Sequence, residues 1–443
     1  MNKKVWGYLL LGLILALGIW LRTYNLPERY GFGWDQQDDA VKVMKMVNRE
    51  SFTLIGPRVA GPNSFFVPAW HYYFLVPFYY LGNGSPWSGL AASLFVGMGT
   101  VLGYYFTAKK LWGEKVGLLA AWGGTLAFSI VSWNVMYTPV LTILVFYLGN
   151  RMFEDKKYVL PAIILAFFAG TTHLVPASLL VMILLGTLFL KTKPKLKSVL
   201  LGLLLGSLSL LPLLIFDIRH DFLNTKKIME FVGEQGSSGG EKFNLLAWRA
   251  YYRGFSFMTG FDFSKIWFVA ERVALVLFVL AGILLEKNRK KGWWYLIWFV
   301  LPAIILLFYH QNIPEYYFGV PIALLPIFIA KSAVKNKGVW AILFLLVVSV
   351  VQVKRMVSER SVPSLTDKIA IVNFMIEYSQ NRKFNFSYNV PFGDESGYPF
   401  LFSWLKKEPT TTNDSRLYTL ITLPEKPGER VIYSRVGLGI LER

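Results

Sequence analysis

The sequence predicts an all-α polytopic membrane protein of about 11 transmembrane helices, followed by a small extracytoplasmic α/β domain. Three observations favour this class. The 443 residues are 54% hydrophobic and only 16% charged, whereas a soluble domain carries about 25% charged residues. Apolar stretches of membrane-spanning length recur along the first 353 residues. Basic residues cluster in alternate loops between those stretches.

Composition excludes several kinds of site. The chain has no cysteine, so it contains no disulfide, thiolate metal site or cysteine nucleophile. It has four histidines, too few to favour a His-rich metal cage. The formal charge of +19 would fit a nucleic-acid partner, unless the basic residues have another explanation.

The first apolar stretch runs from Val5 to Leu21, behind two lysines. It lacks a small-residue cleavage site before Arg22, so we interpret it as a retained anchor and not as a signal peptide. The further predicted spans are 88–107, 116–131, 138–150, 158–168, 174–190, 198–216, 267–285, 293–309, 316–330 and 338–353.

The distribution of Lys and Arg predicts the orientation in the membrane. Six short segments hold 19 basic residues: 1–4, 108–115, 151–157, 191–197, 286–291 and 331–337. The intervening short loops 132–137, 169–173 and 310–315 hold none. We therefore expect a plasma (inner) membrane protein with a cytoplasmic N-terminus. Most of the positive charge is then a topology signal, and no nucleic-acid partner is expected.

Whether the aromatic segment 65–82 crosses the membrane decides if the number of crossings is odd or even, and so on which side the C-terminus lies. It contains nine aromatic residues and two prolines, and Tyr and Trp favour the membrane interface. We interpret it as interfacial or re-entrant, which gives eleven crossings and an extracytoplasmic C-terminus. The alternative is that this segment spans and a later short stretch does not.

The last predicted span ends at residue 353, so the chain divides into a membrane domain, 1–353, and a second domain, 354–443. Eleven crossings from a cytoplasmic N-terminus make this second domain extracytoplasmic. Two long loops of the membrane domain, 22–65 and 217–266, share the outer face with that second domain. Within the C-terminal domain the pattern predicts one helix, 365–380, and three strands, 384–390, 416–423 and 430–440.

Three carboxylates stand close together in the first outer loop: Asp35, Asp38 and Asp39. If 35–49 is helical, positions 35, 38, 42, 45 and 49 form a polar stripe and positions 40, 43, 44 and 47 an apolar one. Such a helix would lie in the membrane plane, with its acidic end at headgroup level. The alternative is local: Asp35 is the N-cap and Asp38 occupies the capping-box position.

Other polar side chains collect at the predicted outer ends of spans, where ionisable groups tend to mark function. Taken singly, each is explained as a snorkelling or hydrogen-bonded end residue. Together with two residues of the aromatic segment they form our candidate set for the donor phosphate or another part of the substrate: His71, Tyr72, His173, Arg219, His220, Asp221, Arg272, His310, Glu315 and Tyr316.

The order of these features resembles the GT-C superfamily of polytopic glycosyltransferases, and most of all the family 39-like protein O-mannosyltransferases and aminoarabinose transferases. Those enzymes have one span, then an outer loop with an Asp-Glu-x-x-Tyr-Ala-like motif on a juxtamembrane helix. A Pro- and Tyr-rich segment follows, as in 68–73, and a Tyr-Tyr-x-x-x-Pro pattern comes late, as in 316–321. The resemblance covers about residues 1–350.

The resemblance implies that Asp35 is the catalytic carboxylate. The chain departs from the motif at Gln36, where Glu is usual, and at Asp39, where Tyr is usual. The family's second acidic loop position is also absent, because Pro139 is followed by Val140. Asp38 or Asp39 would then supply a second carboxylate locally. No metal ligand is predicted, and whether a divalent cation takes part stays open.

The implied function is transfer of a sugar from a polyprenyl-phosphate donor to a lipid, glycan or protein acceptor on the outer face. One alternative is a transporter or flippase of a lipid-linked substrate. Transporters, however, place polar groups at the bilayer midplane on repeated helices, and here no repeat is visible. Another alternative is a membrane-anchored binding protein, for which eleven spans are more than an anchor needs.

Overall fold

The computed structural model describes residues 3–59, 64–126, 132–237, 246–260, 267–309, 313–335, 338–380, 382–410, 416–423 and 430–442. The chain divides into two compact units. The larger unit comprises 1–22, 53–71 and 93–355, and the smaller comprises 23–52, 72–92 and 356–443. The smaller unit therefore joins the C-terminal segment to two stretches from early in the chain.

Helices dominate the described residues. They are α1 (Lys3–Thr23), α2 (Leu26–Arg29), α3 (Trp34–Val47), α4 (Trp70–Leu81), α5 (Ser88–Trp112), α6 (Glu114–Leu126), α7 (Thr138–Met152), α8 (Val159–Thr172), α9 (Ser178–Leu188), α10 (Leu196–Ser207), α11 (Leu211–Arg219), α12 (Leu223–Ser237), α13 (Leu246–Gly254), α14 (Ser256–Thr259), α15 (Trp267–Leu284), α16 (Arg289–Leu307), α17 (Gly319–Lys335), α18 (Val339–Ser358), α19 (Leu365–Tyr378) and α20 (Tyr398–Trp404). Short 3-10 helices cover Asn134–Tyr137, Lys156–Tyr158, Val175–Ala177, Leu208–Leu210 and Glu315–Phe318.

Six helical stretches in the described part of the chain are long and apolar enough to cross a membrane. They are Val5–Thr23, Ser88–Trp112, Leu196–Arg219, Arg289–Leu307, Glu315–Val334 and Val339–Ser358. The chain is therefore a multi-pass membrane protein. The orientation of its termini stays a prediction.

The predicted count of eleven crossings is not confirmed, and helix length is the reason. Helices α7 and α8 have 15 and 14 residues, and at 1.5 Å per residue each spans roughly 21 to 23 Å. The hydrocarbon core of a bilayer is about 30 Å thick. The predicted span 116–131 ends on residues outside the described ones. Helix α4 has 12 residues, which is also shorter than a crossing.

Helix α17 forms the centre of the larger unit. Its surrounding stretch, Glu315–Val334, is 94% buried, whereas Leu196–Arg219 is only 11% buried. An apolar helix so exposed suits a lipid-facing position, while an enclosed helix packs on protein. Helices α6, α7, α15 and α16 surround α17. At its C-terminal end, Lys331 Nζ donates to Glu286 at 3.2 Å, which pairs a buried charge.

The C-terminal part of the smaller unit contains a four-stranded mixed sheet in the order β3-β4-β6-β5. Its strands are β3 (Phe384–Asn389), β4 (Arg416–Thr422), β5 (Val431–Arg435) and β6 (Leu438–Glu442). Strands β3 and β4 are parallel, and the other pairs are antiparallel. A parallel pair needs a crossover connection, and α20 lies in it. A separate two-stranded sheet, β1 (Ile55–Arg58) with β2 (Phe66–Pro68), belongs to the larger unit.

The C-terminal segment contains the helix and the small sheet that the sequence predicted, with one correction to the strands. The expected strand 430–440 is a hairpin, β5 and β6, because the chain turns at Val436 and Gly437, whose φ angles are 47° and 81°. Helix α19 begins at Leu365 as predicted and is capped by Ser364, whose side chain accepts from the Asp367 backbone N–H. Helix α20 was not predicted.

Candidate functional site

The first turn of α3 contains Asp35. The alternative that Asp35 is the N-cap of this helix is wrong. Helix α3 begins at Trp34 with Gly33 as the N-cap, and Gly33 N donates to Gln36 Oε1 at 2.8 Å. Gln36, which stands where the family usually has Glu, therefore completes the helix start. Asp35 is exposed in the first helical turn, where the helix dipole favours a negative charge. Its carboxylate is not the cap.

The other two carboxylates of α3 differ in exposure. Asp38 is exposed and lies 3.8 Å from Lys42 Nζ, one turn further along the helix. Asp39 is buried, together with Ala40 and Val43. The predicted apolar stripe was therefore partly wrong, because the buried face includes a carboxylate at position 39.

Tyr72 connects these groups within the smaller unit. Lys42 Nζ donates to its hydroxyl at 3.1 Å and lies 5.3 Å from its ring centroid. Burial raises the pKa of Tyr72, and the charges of Asp39, Asp38 and Asp35 raise it further. All three carboxylates thus act electrostatically on one buried phenol. This phenol stays protonated and can donate a hydrogen bond.

The C-terminal domain holds the start of α3 through specific contacts. Gly397 N donates to Gln37 Oε1 at 2.7 Å. Lys368 Nζ donates to Phe32 O at 3.1 Å and to Ser396 O at 2.8 Å. A Cβ at Gly397, where φ is 94°, would lie 2.8 Å from Phe32 O, so only glycine fits there. The segment leading into Asp35 is therefore fixed by residues far along the chain.

A second group of candidate residues lies in the larger unit, around the 3-10 helix Asn134–Tyr137. His71 Nδ1 lies 3.0 Å from the Tyr137 hydroxyl, and the two rings meet edge to face. Tyr316 lies near Trp133, with ring centroids 6.2 Å apart, and near His173 at 6.0 Å. Three of the predicted site residues thus lie in one cluster of loops rich in aromatic side chains: His71, His173 and Tyr316.

His173 is a neutral hydrogen-bonding group. Burial lowers the pKa of its imidazole to about 4, so it carries no charge at neutral pH. Its Nδ1 accepts from Val175 N at 3.2 Å, which leaves the proton on Nε2. It can donate to a substrate oxygen but cannot supply a cation for a phosphate.

Glu315 and His310 belong to the same predicted outer loop. Glu315 Oε1 lies 3.8 Å from Arg253 Nη1, with both side chains partly exposed. His310 lies outside the described residues. Glu315, next to Tyr316 in the chain, is therefore paired with a basic residue of α13.

Arg272 lies at an apolar cavity of about 430 Å³ in the larger unit. Its guanidinium donates to Tyr252 O and to Ser256 Oγ, each at 2.8 Å, and pairs with Glu271. Helices α13, α15, α16 and α17 line the cavity: Tyr251, Tyr252, Phe255, Val269, Arg272, Val273, Leu275, Val276, Leu277, Val279, Leu280, Leu296, Phe299 and Leu325. A long apolar chain with a charged head matches this lining.

The segment 217–221 has a different arrangement from the one expected. Asp217 accepts from Asn224 N at 2.7 Å and from Thr225 N at 3.1 Å, so it stabilises the start of α12 and does not hold Arg219. Arg219, His220 and Asp221 are exposed. The His220 ring stacks on Phe216 with centroids 4.1 Å apart.

Sequence reasoning missed Lys42, Gln37 and Tyr137 as parts of these groups. Lys42 had a signal, because it follows Asp38 by four residues on the polar stripe. Gln37 and Tyr137 had none, since their partners are remote in the chain. Among the described residues, no three His, Asp or Glu side chains converge to hold a metal ion.

No family model matches the chain, and no curated protein sequence matches it. Solved structures do match, and they define the class: the chain has the GT-C fold of polytopic membrane proteins. It is similar to ArnT from Cupriavidus metallidurans in the apo state, with a TM-score of 0.61 and 11% identity over 99% of this chain and 98% of that one.

Two further structures agree. ArnT bound to undecaprenyl phosphate gives a TM-score of 0.53 and 13% identity over 100% of this chain and 98% of that one. The apo oligosaccharyltransferase of Archaeoglobus fulgidus gives 0.54 and 11% over 95% of this chain and 70% of that one. These structural similarities show the fold, which the resemblance noted in the sequence had implied.

Proposed function

We propose that this protein is a membrane glycosyltransferase that moves a sugar from a polyprenyl-phosphate donor to an acceptor on the outer face. One observation carries the proposal: a chain with the GT-C fold presents an exposed carboxylate, Asp35, in the first turn of a helix whose cap is supplied by other residues. The similarity to ArnT, one structure of which contains undecaprenyl phosphate, supports the donor class.

Asp35 is the general base of this reaction. It accepts the proton of an acceptor hydroxyl as that oxygen attacks the anomeric carbon. The bond from the anomeric carbon to the phosphate oxygen breaks, and the electron pair leaves with the lipid phosphate. A phosphate is a good leaving group, so no general acid is needed. Asp38 and Asp39 supply further negative charge beside Asp35, and the Tyr72 hydroxyl can donate to a sugar oxygen.

The donor lipid has a matching environment at the Arg272 cavity. The lining is almost wholly apolar, as a polyprenyl chain requires, and a guanidinium presents a planar fork to phosphate oxygens. Arg272 would first have to exchange its present partners, Tyr252 O, Ser256 Oγ and the Glu271 carboxylate. Exposed Arg219 and His220 are the other groups proposed for the phosphate.

The polar side chains at the loops of the larger unit are proposed to bind substrate hydroxyls. His71 and Tyr316 offer polar ring atoms there, and neutral His173 offers one donor. Such groups bind hydroxyls without requiring charge on the acceptor. A lipid, a glycan or a protein side chain would all satisfy this condition.

Asp35→Asn tests the proposal, with Glu50→Gln as the matched control. Glu50 is an exposed carboxylate of the same unit, beyond the end of α3. Polyprenyl-phosphate sugars in lipid extracts would be compared between cells with the wild-type protein, with either variant and with none. We expect one such lipid to accumulate without the protein and with Asp35→Asn, but not with Glu50→Gln.

Turnover of that lipid by purified protein in nanodiscs should fall by about 10²–10⁴-fold in Asp35→Asn, the usual range for a general base. Wild-type turnover by a folded Asp35→Asn protein would show that Asp35 is not the general base. Identical lipid extracts with and without the protein would show that a polyprenyl-phosphate sugar is not the donor.

A further inference from the structure

An exposed aromatic pair stands directly beside Asp35 in the smaller unit. The rings of Trp34 and Phe392 lie 5.8 Å apart at an angle of 31°. Trp34 is 45% exposed and Phe392 is 92% exposed. Exposure of such large apolar side chains costs free energy, and an adjacent pair of them is typical of a binding surface.

The loop that carries Phe392 is held in place by its own hydrogen bonds. Asp394 N donates to Pro391 O at 3.0 Å, and Gly393 N donates to Glu395 Oε2 at 2.6 Å. Ser396 Oγ donates to Gly393 O at 2.6 Å. A loop fixed in this way presents its aromatic ring in one orientation, which lowers the entropy cost of binding.

The charged residues next to Trp34 and Phe392 in the chain indicate what kind of ligand this surface would bind. Asp35 follows Trp34 in the chain, and Asp394 and Glu395 follow Phe392. Carboxylates accept hydrogen bonds from hydroxyl groups. A ligand with a flat C–H face and a rim of hydroxyls satisfies both the rings and the carboxylates. A pyranose ring has this chemistry.

We propose that Trp34 and Phe392 form a stacking platform for a sugar ring of the acceptor. This inference rests on the proposed function, because a base at Asp35 must receive an acceptor hydroxyl within about 3 Å. The platform would hold a ring of a glycan or glycolipid acceptor beside that carboxylate. It deepens the function by naming a carbohydrate-containing acceptor.

Binding of cellobiose tests the platform without requiring catalysis. Saturation-transfer difference NMR would be recorded on the full-length protein in nanodiscs, with sorbitol, which has no ring, as the negative probe. We expect ring C–H signals from cellobiose with the wild-type protein. Phe392→Ala should weaken the signal roughly tenfold, the usual effect of removing an aromatic anchor.

Phe52→Ala is the matched control, because Phe52 is a 75% exposed phenylalanine of the same unit. It should keep the cellobiose signal. The platform is overturned if wild type gives no ring signal, or if Phe392→Ala binds as wild type does. Loss of the signal in Phe52→Ala as well would overturn the assignment to this pair. If Asp35→Asn did not reduce sugar transfer, the assignment of Asp35 as the general base would be wrong, but the platform would not be refuted.

A membrane role for the pair is tested separately. The chain has no cysteine, so Phe392→Cys gives a single labelling site for a bimane fluorophore. Doxyl-labelled lipids in the nanodisc should leave its fluorescence unquenched. Strong quenching would show that the pair inserts into the leaflet, and would overturn the platform.

Discussion

The buried lysine of the C-terminal domain should make the stability of that domain depend on pH. Lys368 is 3% exposed, and its ammonium group donates to the carbonyls of Phe32 and Ser396. Burial lowers its pKa from 10.5 to about 8, against the opposing effect of Asp394 and Glu395. At ~1.36 kcal/mol per pKa unit, the shift corresponds to about 3 kcal/mol.

The sign of the effect follows from proton linkage. Between pH 8 and pH 10.5 the unfolded chain keeps the proton that the folded domain has released. The free energy of unfolding therefore rises with pH across this window, and the gain is lost as pH falls through 8. Replacement of Lys368 by Met should abolish the rise.

Thiol labelling of a single cysteine at Val372 measures this free energy. Val372 is fully buried in α19, so its reaction requires local opening of the domain. Rates would be divided by the labelling rate of the unfolded chain at the same pH. Relative to Lys368→Met, the opening free energy of the wild-type protein should rise by about 3 kcal/mol from pH 8 to pH 10.5, because the tyrosines of the same domain, whose pKa values burial raises, titrate alike in both proteins.

Lys383→Met is the control, because Lys383 is an exposed lysine of the same domain. It should keep the full rise with pH. An equal rise in Lys368→Met and wild type would refute the assignment of the pH dependence to the buried ammonium.

Three further outcomes are expected. Asp217→Ala removes the acceptor of Asn224 N and Thr225 N, and should lower the free energy of unfolding by about 1–2 kcal/mol in thermal melts; an unchanged melt would contradict the capping role. Arg219→Lys should leave the melt unchanged but raise the apparent Michaelis constant for the polyprenyl-phosphate sugar; an unchanged constant would remove Arg219 from the donor site. A reporter active only in the cytoplasm, fused after Arg443, should give no signal, and a bright fusion would contradict the predicted parity.

The sequence predicted the fold where local pattern decides structure. Helix α19 and strands β3 and β4 lie within one or two residues of their predicted ranges, because periodicity and turn residues are local signals. The tight turn at Val436 was missed, since no Asn-Gly or Asp-Gly pair marks it. Crossing number was the weakest prediction, because several apolar stretches form helices shorter than a bilayer.

The candidate site was predicted in part. The helix carrying Asp35 was expected, but it begins two residues earlier than the capping alternative assumed: Gly33 is the N-cap and Gln36 completes the capping box, in place of Asp35 and Asp38. The burial of Asp39 could not be read from a helical stripe, since it depends on the neighbours of α3 in the folded unit. The contacts of Gln37 and Lys368 join residues more than 330 positions apart, beyond the reach of pattern analysis.

That separation has a consequence for how the protein is made. Lys368 is synthesised 336 residues after Phe32. At ordinary elongation rates the ribosome needs roughly 15 to 70 s to add them, and until then the Phe32 carbonyl has no Lys368 ammonium group to bond with. During this interval α3 lacks the partner that fixes the segment leading into its first turn. Contacts of such high sequence separation form late. A ribosome that stops early would release a chain in which Asp35 is present but the start of α3 lacks these contacts, so this part of the smaller unit would be complete only when synthesis is nearly finished.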